Sequence, residues 1–263
     1  MGAESDYVEG IERQLGYLAT WLPTTDIHVG DIGRFDGQTF VPTSSLSARS
    51  IRFAVQRGVA VGDLSAQIGR KIRITAKARG ETNQLAPSIP KAKAGVVVEF
   101  GSKESAIFSA SGCREDRMED VERLSDVIER LYDTWQWSKD LVVVTHVVKA
   151  RNATILVSSE KEATFELTAS ASAKAGPVDV GRLSAGWSLA SSYNSSLSLV
   201  SRSNLTPLFR AVKIQGFLFP GVEQASADLF REHIASGQSP RSNAPASSAQ
   251  AKVVAIKVSE MGK

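Results

Sequence analysis

From Leu183 to Val200 the chain alternates with a period of two. Leu183, Trp187, Leu189, Tyr193, Leu197 and Leu199 hold odd positions, and the even positions from Ser184 to Ser198 are Ser, Gly, Ala or Asn. A strand turns successive side chains to opposite faces, so this pattern predicts a ribbon with one greasy face and one small, polar face. Such a ribbon either lies on a core or spans a bilayer as part of a closed barrel.

Elsewhere the periodicity changes. Val8, Ile11, Leu15, Leu18 and Leu22 recur at helical spacing and predict an amphipathic helix over residues 7–22, with Asp6 as N-cap and Pro23 as stop. Asp36-Gly37 predicts a hairpin whose second arm begins at Phe40. Residues 51–61 read as a strand, and 71–77, alternating basic and apolar, as an edge strand. Pro87 and Pro90 make 81–93 a loop, so 71–110 reads as one meander, with 95–100 and 106–110 as arms around Gly101-Ser102-Lys103.

Met118, Val121, Leu124, Ile128, Leu131 and Trp135 form the apolar stripe of a second helix over 116–135, placed to cover a sheet. Residues 141–148 are a near-continuous β-branched run, hence a buried strand; 153–159 and 164–169 follow around Glu160-Lys161-Glu162, and 208–214 is a further strand. Residues 222–234 predict a last helix, 236–250 a Ser, Pro and Ala-rich linker, and 253–258 a strand able to join a sheet edge. The expected class is α+β: a mixed, mainly antiparallel twisted sheet with an N-terminal helix and a covering middle helix. One domain over 1–235 precedes a linker and short tail over 236–263.

The composition is that of a globular chain: 263 residues, 42% hydrophobic and 22% charged. With Cys113 as the one cysteine no internal disulfide forms, and the acidic start lacks the features of a secretory signal, so a cytoplasmic location is expected. No run approaches the ~20 apolar residues of a spanning helix. Net charge is +3, yet eight basic residues against two acidic ones crowd residues 70–103. That surface suits anionic lipid or nucleic acid, but it lacks the interleaved aromatics of a nucleic-acid platform, so no nucleic-acid partner is expected.

Covalent chemistry finds little footing. His28, His146 and His233 lack metal-ligand spacing, no phosphate loop or nucleophile elbow occurs, and Asp31 and Asp63 follow glycines as turn residues do. His146, inside its strand, reads as a core or face histidine. The chain reads as neither an enzyme nor a metal or cofactor protein.

Two segments carry a family resemblance. Leu141-Val142-Val143-Val144-Thr145-His146-Val147-Val148-Lys149 is similar to the gasdermin strand written as apolar, then Val-Val-Thr-Glu-Val-Leu, with His146 where the family has Glu. Leu205-Thr206-Pro207-Leu208-Phe209-Arg210-Ala211-Val212-Lys213-Ile214 resembles that family's closing strand. The order of elements resembles it too, and a short tail is compatible with bacterial members.

The resemblance implies a pore-forming effector, a cytoplasmic protein restrained until a protease removes or displaces its tail. It would then form a homo-oligomer on an anionic lipid membrane, with hairpin regions 71–110 and 153–200 becoming membrane strands. Leu183, Trp187, Leu189, Tyr193, Leu197 and Leu199 would enter the bilayer, and Lys71, Arg73, Lys77, Arg79, Lys91 and Lys93 would meet headgroups. The alternative is a non-enzymatic binding or structural module that assembles through strand edges.

Overall fold

The computed structural model describes residues 2–21, 25–81, 84–91, 93–170, 178–201, 205–215 and 252–256. Helix α1 (Ala3–Leu15) is followed by β1 (Leu18–Ala19), β2 (Asp31–Asp36), β3 (Thr39–Ser45), β4 (Val55–Ile68), β5 (Ile72–Lys77), β6 (Gly95–Phe100) and β7 (Ala106–Met118). Helix α2 (Val121–Asp133) leads to β8 (Val142–Ala150), β9 (Asn152–Ser158) and β10 (Ala163–Ala169). A 3-10 helix at Val180–Ser184 precedes β11 (Trp187–Tyr193), β12 (Ser195–Ser201), β13 (Leu205–Gln215) and β14 (Lys252–Ala255). Every pairing among the described residues is antiparallel, and the fold is the expected α+β class.

The strands form two sheets. The larger runs β1-β13-β8-β7-β9-β12, with β14 on β13, β4 on β7, and the β2–β3 hairpin joined through β2 to β8; the smaller runs β11-β10-β6-β5. The hairpin predicted at Asp36 is present, as are the buried strand in β8 and the strand that adds itself to β13. On one face of the large sheet α1 buries Tyr7, Val8 and Ile11 against Ile68, Phe108, Ile155 and Phe209. There Gly10 lets α1 approach: a Cβ would stand 2.4 Å from Ile68 Cγ1. Helix α2, N-capped by Asp120, which accepts from Arg123 N at 2.8 Å, sets Leu124 and Ile128 on Met118, Val143, Val212 and Ile214.

Several expectations shift. The first helix begins at Ala3 with Gly2 as N-cap, so Asp6 lies in its first turn; it ends where Gly16 turns left-handed at φ 69, and Leu18 belongs to a strand. Residues 116–118 extend β7 rather than opening α2, and Trp135 is 95% exposed. The helix has closed by Thr134, and Trp137 turns inward instead, 5% exposed, with the Arg49 guanidinium 5.0 Å over its ring.

The predicted meander does not form: β6 and β7 lie in different sheets, as do β9 and β10, and β11 and β12. The expected helix at 222–234, the linker at 236–250 and the stop at Pro23 lie outside the described residues.

Candidate functional site

Those sheet changes share one geometry. β4 pairs with β7 in the large sheet, and their continuations β5 and β6 pair in the small one; β9 pairs with β12, and their continuations β10 and β11 pair likewise. The chain therefore contains two long hairpins, each bent once. Because β7 pairs β9 and β6 pairs β10, the order β4-β7-β9-β12 is repeated as β5-β6-β10-β11, and the four bends lie side by side along one crease.

Each bend contains a non-glycine residue in the left-handed region: Lys71 at φ 59, Glu104 at φ 60, Glu162 at φ 62 and Asn194 at φ 53. That conformation costs an L-residue about 1 kcal/mol or more, least for Asn. Hydrogen bonds and one ion pair hold the line. Ser102 Oγ donates to Arg70 O at 2.9 Å, Gly101 N to Lys71 O at 3.0 Å, Ser159 N to Asn194 O at 3.0 Å, and Lys103 Nζ meets Glu160 Oε2 at 2.8 Å.

The parity of the side chains is kept through the crease. In the large sheet Leu64, Ala66 and Ile68 on β4, Ala106, Phe108 and Ala110 on β7, and Ala153, Ile155 and Val157 on β9 face the α1 side. In the small sheet Ile72 and Ile74, Val96, Val98 and Phe100, and Ala163, Phe165 and Leu167 face a second core between the two sheets. Within each strand the two sets share one parity: even along 64–74 and 96–110, odd along 153–167. Straightened, each strand would carry these apolar residues on one face, and on the other Ser65, Gln67, Arg73, Thr75, Glu99, Ser105, Ser109, Thr154, Ser158, Thr164 and Glu166 together with the apolar Val97, Ile107 and Leu156.

The sequence-predicted residues fall unevenly on this frame. Leu183 belongs to the 3-10 helix, fully buried in the core between the sheets, and Trp187 is buried beside it. Leu189 and Tyr193 are exposed on β11, where a bulge at Ala190 turns Tyr193 toward the face of Thr164. Leu197 and Leu199, on β12, pack on the α1 side. The apolar faces of β5, β6 and β10 were not among the predicted insertion residues, although their alternation is readable in the sequence.

Of the basic set, Lys71, Arg73, Arg79, Lys91 and Lys93 are exposed, with Arg73 near Glu99 at 3.9 Å. Lys77 departs from the expectation: it is 3% exposed, and its ammonium donates to Ile89 O at 3.0 Å and Pro90 O at 3.1 Å, closing the β5–β6 loop over Val97 rather than facing headgroups.

Catalytic geometry is thin. Burial, then the nearby Asp63 carboxylate, pushes the Cys113 thiol up to about 11, so it stays protonated near neutrality. Asp31 accepts from His28 N at 2.8 Å, the turn role expected of it, whereas Asp63 lies within β4 and accepts from Gly112 N of β7 at 3.0 Å, a contact across strands rather than in a turn. A cavity of about 180 Å³ beside the Asp116–Lys149 ion pair is lined by Val29, Phe53, Val55 and Val147. Among the described residues no group of three or more His, Cys, Asp or Glu is placed to hold a metal ion, and no helix is long and apolar enough to cross a membrane, which leaves strands untouched by that statement. Comparison with protein-family models and with curated proteins finds no match.

Proposed function

We propose that this protein forms pores: the two creased hairpins straighten on a membrane and, in a ring of copies, become the strands of a closed barrel. The observation that supports this reading is the parity kept across the first three strands of the crease, which puts the apolar residues of both arms of each strand on one face once the bend is removed, with a polar break at the corner (Arg70; Ser102 and Glu104; Ser159 and Lys161) between them. Length argues the same way. A membrane strand needs ~9–11 residues, and the arms in the small sheet, at six or seven, are too short alone but long enough when joined to their partners in the large sheet.

Energetics favours lipid as the place where the crease opens. Opening the crease in water would expose Val96, Val98, Phe100, Phe165, Leu167 and Trp187, which at about 1.5–3 kcal/mol each comes to the order of 10 kcal/mol, far more than the strain released at the corners. Acyl chains accept the same surface. β14 adds restraint by pairing with Val212–Gln215 of β13, with Ile256 N donating to Ala211 O at 3.0 Å and the Ile256 side chain 7% exposed. The protein would thus wait in the cytoplasm, lose β14 to a protease cutting within 236–250, and move to anionic membrane.

The test is dye release from vesicles of phosphatidylglycerol and phosphatidylethanolamine, using protein with a protease site written into 236–250. Release is expected after cleavage only. Silence from every cleaved form, and from a chain ending near Ile234, would overturn the reading and favour a module that assembles through its strand edges without lipid.

A further inference from the structure

Residues 178–186, which lead into β11 at the tip of the second hairpin, pack into the crease. Their 3-10 helix, Val180–Ser184, sits between the two sheets with Leu183 fully buried and Val178 and Val180 packed on the same core. The large sheet meets it with hydroxyls. Thr154 Oγ1 donates to Leu183 O at 2.6 Å and Ser109 Oγ to Gly181 O at 3.2 Å, and from the small sheet Trp187 Nε1 donates to Arg182 O at 2.9 Å. Ser109 and Thr154 are both fully buried.

These contacts solve two problems at once. A short helix end carries carbonyls without helical partners, and the polar face of a membrane strand carries hydroxyls that must be satisfied when buried. Each set answers the other only while the crease is closed. Straightening β9–β10 against β7–β6 requires the helix to leave.

We infer that Val180–Ser184 is an internal latch, made of the inserting hairpin's own tip, that keeps the crease shut independently of the segment carrying β14. This inference rests on the pore reading. Removal of β14 then licenses activation but does not complete it; withdrawal of the latch is a second step, and it moves Ser109 and Thr154 from carbonyl partners to water.

Position 181 supplies the test. A Cβ built on Gly181 would lie 4.0 Å from Ser65 Oγ, its backbone is not in the left-handed region, and both residues are exposed. That distance is to the side-chain oxygen, one bond beyond the Ser65 Cβ, whereas a disulfide needs Cβ atoms about 3.5–4.5 Å apart. Ser65→Cys with Gly181→Cys, in a Cys113→Ser background, therefore staples the latch to β4 in the fraction of protein that forms the bridge, and that fraction is the one assayed. The readout is dye release from the same vesicles by full-length protein cleaved within 236–250, with the bridge confirmed by mass after alkylation. Oxidised protein is expected to be silent and reduced protein to leak. Equal leakage from both, with the bridge intact, would overturn the latch and leave the pore reading standing; silence from reduced protein and wild type alike would overturn the pore reading and the latch with it. Independently, Ser109→Ala with Thr154→Val should lower the protein concentration needed for release, and an unchanged concentration would count against the latch.

Discussion

Ser105 and Ser158 bind each other through three hydrogen bonds at the middle of the crease: Ser158 N donates to Ser105 O at 2.9 Å, Ser105 N to Ser158 Oγ at 3.0 Å, and Ser158 Oγ to Ser105 O at 3.0 Å. Both residues are fully buried. This is the point where β7 and β9 stop pairing in the large sheet, so the contact fixes where the hairpins bend.

Ser158→Ala would leave the Ser105 N–H without its acceptor in a buried place, at a cost of about 1–3 kcal/mol. The expected result is a lower urea midpoint and dye release at lower protein concentration after cleavage. A midpoint equal to wild type would show that the bend is set elsewhere.

Corner strain gives a prediction of opposite sign. Glycine accepts φ 62 without the steric cost that Glu162 bears. Glu162→Gly should favour the creased form over a straight strand, where glycine is a poor residue, and so slow dye release. Faster release would mean that the left-handed corner is not part of the restraint. Gly69→Ala is the reverse case: at φ 90, with a new Cβ 2.3 Å from Ser105 Oγ, it should destabilise the folded protein.

Much of this architecture is readable along the chain, and the unread part has a definite physical origin. Near-continuous apolar or β-branched runs identify β6, β8 and β9, and alternation identifies β5 and β10, because a strand's faces repeat every two residues wherever the strand goes. The crease is silent for the same reason: parity is kept through it, so Lys71–Ala110 looks like one plain meander. Two corners, at Glu104 and Glu162, lie at the polar breaks Gly101-Ser102-Lys103 and Glu160-Lys161-Glu162, which read as hairpin turns between paired arms rather than as bends between sheets. Asn194 falls inside the 183–200 alternation, which hides its bend. Lys77 misled in another way. Its charge suggested the surface, while burial under Ile89 and Pro90 depends on a loop that periodicity cannot place.

Separating Lys77 from its basic neighbours makes a direct test of the headgroup surface. Arg79, Lys91 and Lys93 are exposed, and each charge near an anionic surface contributes up to about 1 kcal/mol. Lys91→Gln with Lys93→Gln should weaken sedimentation with phosphatidylglycerol vesicles while leaving thermal stability unchanged. Lys77→Met should do the opposite, lowering stability through two unanswered carbonyls. If both variants changed binding alike, Lys77 would have to be reaching lipid.

His146 predicts a pH dependence. Burial holds its pKa below the ordinary value, with the Arg210 and Arg117 charges from β13 and β7 pushing the same way against Glu115, and its Nδ1 lies 3.0 Å from Thr145 Oγ1. The folded protein therefore prefers the neutral ring, whereas the unfolded chain takes up a proton near about pH 6.5. Stability carries no penalty from this group above that pH and falls as the pH drops below it. Asp116, where burial is outweighed by the Lys149 and Gly58 hydrogen bonds, is held below its ordinary value and loses its contribution only in the carboxylate range, below about pH 4. Melting temperatures measured from pH 7.5 to 5.5 should fall more steeply for wild type than for His146→Gln. Parallel curves would remove His146 from the account.

The sidedness of the straightened strand can be tested on β11 without disturbing the folded protein, because two adjacent residues there are already exposed. Leu189 is 38% exposed and sits opposite Leu167, on the face that would meet lipid; Ser188 is exposed opposite Thr168, on the face that would meet water. An arginine in hydrocarbon near the midplane of a barrel costs about 2–4 kcal/mol, and one facing the lumen costs little. Leu189→Arg should therefore abolish or sharply reduce dye release, with melting temperature close to wild type, while Ser188→Arg should leave release largely intact. Since the two side chains are neighbours on one exposed edge, any general effect of added charge on vesicle binding applies to both. Only a strand with one face in lipid separates them, and equal release from the two variants would exclude that placement for β11.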